Sequence, residues 1–211
     1  ILCATHDTAS AVASLDIDEN TLYLSSGTWS LLGVKRATPL TSIEARQQNF
    51  SNEAGPHYIR FQKNIMGLWL IQCLEKETGI PIPTLVQMAK ESLYEVIVDV
   101  NDERFLSPES IRFALKGYAI ENGLPLPANY GDYANCIFHS LAKSYKDTIQ
   151  EIEDITFKKY SKIIIIGGGA KNDYLNELTK QYTKLTVVAH PIEATAIGNL
   201  RVQMDVQNDE K

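Results

Sequence analysis

An α/β fold on a mixed sheet is what this 211-residue sequence predicts, and three observations predict it. LYLSSGTWSLLGV at 22–34 reads as two strands folded back at Ser26-Gly27-Thr28, and HYIRF at 57–61 reads as a third, giving an antiparallel front. Residues 132–202 alternate helix, strand, helix, strand and helix, giving a parallel back joined by helical crossovers. Between them, IIIIGGG at 163–169 drives a continuous apolar strand straight into a glycine turn.

Each element has its own local reason. Residues 5–14, small and Ala-rich with a polar front at His6-Asp7-Thr8, predict a short helix. DIDEN at 16–20 is a turn. Gly27 is expected to supply the backbone freedom of a tight hairpin. Residues 65–76, IMGLWLIQCLEK, predict an apolar helix with Asn64 at its N-cap position and Thr78-Gly79 and Pro81 ending it. Residues 85–92 and 108–118 predict further helices. The segment 94–98 is a strand or a buried extended stretch, and 99–131 is irregular. In 132–156 the apolar residues Ile137, Phe138, Leu141, Tyr145, Ile149 and Ile152 form a helical stripe. Strands at 162–166 and 185–189 and helices at 172–182 and 192–202 complete the order.

Composition narrows the class. With 44% hydrophobic and 22% charged residues the chain is of ordinary globular type, and its length favours one large domain. A net charge of −6 without any Lys/Arg cluster argues against nucleic acid as a partner. The longest strongly apolar stretch, 65–74, is too short to span a bilayer, so no membrane role is expected. Cys3, Cys73 and Cys136 are scattered and lack metal spacing, which reads as reduced thiols in a cytoplasmic protein. The chain opens mid-pattern with ILCATHDT, so a C-terminal portion of something longer is expected, with residues 204–211 as a polar tail.

Four stretches carry chemistry. An Asp in a helix's first turn, Asp7, is held as carboxylate by the helix dipole and can accept a hydroxyl proton; as an N-cap alone it needs no such role. A Gly- and hydroxyl-bearing hairpin tip, Ser25-Ser26-Gly27-Thr28, can wrap a phosphate or be a plain turn. Gln72 is a polar amide inside an apolar run, aimed at solvent or at a ligand. The turn at 167–172 follows the G-x-G-x-x-G pattern except that Asn172 stands at its last position. Three function classes fit: a phosphotransferase, a dinucleotide-binding oxidoreductase, and a module that keeps the fold without catalysis. The second is weakened because the next strand ends VVAHP, with no acid at its tip for a ribose.

Together THDTASAV, YLSSGTWSLLG, KNIMGLWLIQ, IIGGGAKNDYLN and PIEATAIGNL resemble, in that order and over nearly the whole chain, the C-terminal domain of the FGGY family of carbohydrate kinases, in its rhamnulokinase branch. The resemblance implies a ribonuclease H-like (actin-like ATPase) fold with helices on both faces of the sheet. It implies ATP-dependent phosphorylation of L-rhamnulose with Mg²⁺ on the phosphates. Asp7 matches the family's catalytic base, and His6, Thr8 and Asn64 match sugar-contacting positions. Gly27 and Thr28 match the phosphate-holding hairpin. Gln72 matches a nucleotide-contacting position, and Gly168, Gly169 and Ala170, with Asn172 nearby, match the adenosine turn. No metal ligand is assigned within this chain. Family members also carry an N-terminal domain that supplies the rest of the cleft, so that domain is the expected partner and this chain alone is expected to be inactive.

Overall fold

The computed structural model describes residues 7–15, 17–55, 57–190, 198 and 200. Six strands form one mixed sheet: β1 (Thr21–Ser26), β2 (Trp29–Arg36), β3 (Phe50–Gly55), β4 (Tyr58–Met66), β5 (Lys162–Ile166) and β6 (Thr186–His190). Their order is β3-β4-β2-β1-β5-β6. The first four strands pair antiparallel, while β1–β5 and β5–β6 pair parallel. The expected division into an antiparallel front and a parallel back is what forms.

Seven helices are described: α1 (Asp7–Ala13), α2 (Ile43–Gln47), α3 (Trp69–Thr78), α4 (Ile82–Glu91), α5 (Ile111–Glu121), α6 (Tyr130–Thr156) and α7 (Asp173–Thr183). Strand alternation decides which helix covers which face. Leu22, Leu24, Leu32, Phe61, Ile163 and Ile165 point to one face, where they meet α3–α7 in the main core. Tyr23, Ile164 and Ile166 point the other way and pack with Ala11 and Val12 of α1. Helices therefore lie on both faces. Gly198 approaches α1 so closely that a Cβ there would collide with Ser10 O.

The 27-residue α6 is the spine of the main core. All six residues of its predicted stripe are buried, and Asn129 caps it by accepting from Asp132 N at 3.1 Å. Helix α3 ends where expected, at Gly79 in the left-handed region (φ 72°).

Several expectations are corrected. The third strand does not stop at 61 but continues to Met66, because Ile59 to Met66 pair with β2 in unbroken register. The apolar Ile65-Met66 that read as helix is the end of a strand, and α3 starts only at Trp69. Asn64 is consequently an exposed strand residue opposite Leu31, not an N-cap. An extra edge strand, β3, is not legible in FSNEAG: only one side pairs, so all six of its positions are half-buried or exposed and no apolar alternation is needed. Residues 94–98 form no strand, and of them only Val98 is buried, its N donating to Ser140 Oγ at 2.9 Å. Of the last expected helix, 192–202, only Gly198 and Leu200 are described, both helical; the tail 204–211 lies outside the described residues.

Candidate functional site

The candidate residues gather where the parallel strands β1 and β5 end, the usual ligand end of a sheet of this kind. Strand β1 turns back into β2 through Gly27 and Thr28, with Ser26 opposite Ser30 at the root. The turn needs no left-handed glycine: among the described residues positive-φ glycines are only Gly79, Gly123 and Gly167. This corrects the reason expected for Gly27. What crowds Gly27 is contact, since a Cβ there would lie 3.3 Å from Trp29 O.

The tip is gripped from behind by α3. Leu68 N donates to Gly27 O at 2.8 Å and Trp69 N donates to Thr28 O at 3.1 Å. The first free amides of α3 are thus satisfied by the hairpin, and the helix has no side-chain cap. Such backbone-on-backbone packing demands Gly67, whose Cβ would stand 2.5 Å from Gly27 O and 2.8 Å from Thr28 O. Sequence reasoning passed over Gly67; a lone glycine inside an apolar run was the available signal.

Thr28 and Gln72 meet. Thr28 Oγ1 donates to Gln72 Oε1 at 3.2 Å. Thr28 is exposed and Gln72 half-buried, so the polar amide inside the apolar run lies against the hairpin tip, where both side chains remain reachable.

The glycine turn has a different construction. Strand β5 ends at Ile166, Gly167 takes φ 86°, and a 3-10 turn spans Gly168–Lys171. A Cβ on Gly167 would lie 2.7 Å from Ser26 O, and one on Gly169 would collide with Ser26 Oγ. A Cβ on Gly168 would meet nothing within 4 Å. Two of the three glycines therefore pack on β1, and Gly168 leaves open space. Ala170 is buried in the main core. Asn172 caps α7, accepting from Leu175 N at 3.1 Å, which gives the residue at the last position of the near-Rossmann pattern a helix-starting role.

Gly168, Gly169, Asn172 and Tyr174 form one wall of a cleft of about 380 Å³; Leu68, Ile71, Ile82 and Val86 form the other, with Lys90 and Lys171 also lining it. The size, and a lining that is apolar on the α3–α4 side with polar groups at its edge, suit a small organic group. Leu68 belongs both to this cleft and to the hairpin clamp, so the two subsites adjoin. Sequence reasoning missed the α3–α4 wall, since nothing in its apolar residues separates cleft from core.

Asn64 lies apart from the cleft. Its neighbour Ile65 faces the main core, so Asn64 is on the opposite face, the one α1 covers. Helix α1 begins at Asp7, in keeping with a first-turn carboxylate. His6 and the side chains of Asp7 and Thr8 lie outside the described residues. No group of three or more metal-ligating side chains occurs among the described residues, and no described helix is long and apolar enough to cross a membrane. Cys73 and Cys136 are free thiols, and burial pushes both up, Cys136 to about 12.

Comparison with known proteins now bears on this geometry. Residues 22–204 match the model of the FGGY family of carbohydrate kinases, C-terminal domain. The chain is 47% identical over 206 residues to a rhamnulokinase of Halalkalibacterium halodurans, covering 96% of this chain and 44% of that protein. It is 46% identical over 207 residues to a rhamnulokinase of Oceanobacillus iheyensis, covering 97% and 44%. It thus spans less than half the length of these relatives. Among solved structures, a xylulose kinase from Lactobacillus acidophilus superposes with a TM-score of 0.70 at 11% identity, over 96% of this chain and 41% of that one. That likeness bears on the fold, which is the actin-like ATPase fold expected. The chain belongs to the FGGY family of carbohydrate kinases.

Proposed function

We propose that this chain is the nucleotide-binding half of a kinase that uses MgATP to phosphorylate L-rhamnulose, giving L-rhamnulose 1-phosphate. The observation that carries the reading is the adjoining pair of subsites: an exposed Thr28 held against Gln72 at a clamped hairpin tip, beside a cleft opened by Gly168. The nucleotide's base sits in the cleft between the turn at Gly168, Gly169 and Ala170 and the α3–α4 wall, with Asn172 at its edge. Its phosphates run toward Gly27 and Thr28, and Gln72 orients them.

The sugar lies on the α1 face, held by His6, Thr8 and Asn64, with Asp7 taking the proton of the attacking hydroxyl. Nucleotide and sugar then approach from opposite faces of the sheet, and the hairpin tip stands between them. Phosphoryl transfer asks little covalent chemistry of a protein; it asks for an in-line hydroxyl, charge neutralisation and fixed donors. Mg²⁺ supplies the neutralisation on the phosphates. No group of three or more metal-ligating side chains occurs among the described residues, and the N-terminal domain of the same enzyme would supply the ion's protein ligands.

The partner is an N-terminal domain of the same enzyme, which completes the sugar pocket and closes the cleft against water. The chain alone is inactive. A kinase of this kind, using ATP on a free sugar, works in the cytoplasm.

The test is ADP release by the full-length protein with MgATP and, separately, L-rhamnulose, L-fuculose, D-xylulose and glycerol. L-rhamnulose is expected to be preferred, and Asp7→Asn to lower kcat by about 10²–10⁴-fold while nucleotide affinity is kept. Preference for another sugar replaces the substrate. Full turnover in the variant removes Asp7 from its role.

A further inference from the structure

Tyr145 lies in the predicted apolar stripe of α6 and is fully buried. Its hydroxyl stands 3.0 Å from Ser30 Oγ, close enough for either to donate. Ser30 is the second residue of β2, two positions past Thr28, and is itself fully buried. Its neighbours on the same face of that strand are Leu32 and Val34, both in the main core. A hydroxyl pair in such a layer adds little to stability, because a Phe–Ala pair would fill the same space with no polar atoms to desolvate. What the pair does add is direction. A hydrogen bond sets how far β2 can slide or tilt against α6, which apolar contact alone does not.

Ser26 extends the joint. It lies opposite Ser30 in register, and its buried Oγ has no hydrogen bond of good geometry. It is still near enough to Tyr145 to help oppose the rise that burial imposes on the phenol, the larger opposing influence being Ser30. Ser26 also floors the glycine turn, since Gly167 and Gly169 pack against it. The root of the hairpin, the base of the turn and the spine of the core meet at these three hydroxyls.

We infer that Tyr145 is a positioning residue for phosphoryl transfer: through Ser30 it fixes the hairpin tip where the nucleotide's phosphates must be held. The inference rests on the kinase reading above. Misplacing a catalytic contact by about 1 Å can cost on the order of a hundredfold in rate, so loss of one anchoring hydroxyl should cost about tenfold.

The experiment compares wild type, Tyr145→Phe, Ser30→Ala, the double variant and Ile152→Val, a buried α6 control seven residues on from Tyr145 that carries no hydroxyl, all in the full-length protein. Turnover is measured with both KM values, together with thermal stability and calorimetric affinities for ADP and for adenosine. Tyr145→Phe is expected to lower kcat about tenfold and to weaken ADP more than fivefold. The sugar KM and adenosine affinity should stay within twofold. The double variant should be no worse than the poorer single variant, and Ile152→Val should keep its rate. Unchanged kcat and ADP affinity in Tyr145→Phe overturns the inference, as does an equal loss in Ile152→Val or equal weakening of ADP and adenosine. If wild type binds ADP but phosphorylates no sugar, the kinase reading fails while the contrast between ADP and adenosine still decides the role of Tyr145. If wild type binds neither, both fail.

Discussion

At Gly67, where β4 passes into α3, a Cβ would stand 2.5 Å from one hairpin carbonyl and 2.8 Å from the next. At Gly168, where β5 passes toward α7, a Cβ would meet nothing within 4 Å. Both are glycines at strand-to-helix junctions at the same end of the sheet, and they serve opposite ends. The first lets two pieces of backbone touch; the second keeps a space open. The three-glycine run holds the same contrast within itself: a Cβ on Gly167 or on Gly169 would strike Ser26, although Gly169 also lines the cleft, while one on Gly168 would meet nothing. A glycine in a motif is therefore not by itself a sign of ligand approach. The neighbour its Cβ would meet tells which role it has.

Substitution can break or sharpen this contrast. Gly67→Ala should be the most damaging, because its clash is with backbone that cannot rotate away; about 3 kcal/mol of stability should go. That is roughly 6–12 °C of melting temperature, read by calorimetry. Gly167→Ala should follow at about 2 kcal/mol, from its positive φ of 86° with an extended ψ of −173°, a region that side chains other than glycine's rarely adopt, and from the contact with Ser26 O. Gly168→Ala should leave stability within about 0.5 kcal/mol and instead weaken ADP by about tenfold, which titration calorimetry would detect. If Gly168→Ala melted early with ADP affinity intact, the contrast would be wrong. Smallest of all, Gln72→Ala should weaken ADP about threefold with no change in melting, since one hydrogen bond to an exposed hydroxyl contributes only about 0.5–1.5 kcal/mol net.

Where the sequence was legible, period and turn chemistry agreed with tertiary structure. The β1–β2 hairpin, the stripe of α6, the strand at 162–166 and the glycine turn all emerge where read, because each is buried on a definite face. The misreadings lie where local pattern and packing part company. Asn64-Ile65-Met66 looks helical by composition, but its partners are across the sheet, in β2. FSNEAG carries no strand signal because an edge needs none. For the site, Thr28 and Gln72 were found as chemistry-bearing oddities, and the structure brings them together. Leu68, Ile71 and Val86 were invisible, since an apolar wall of a cleft has the composition of a core. Tyr145 belongs to the core stripe by its spacing, and only the placement of its hydroxyl against Ser30 sets it apart.

The arrangement of base cleft and phosphate hairpin at one end of the sheet is tested most directly by hydrogen–deuterium exchange of the full-length protein with and without MgADP. Protection should appear in three separate stretches of this domain: 24–30 at the hairpin, 67–74 at the start of α3, and 166–173 at the glycine turn. Protection confined to the polar groove between Asn101 and Lys143, or none in any of the three stretches, would contradict it.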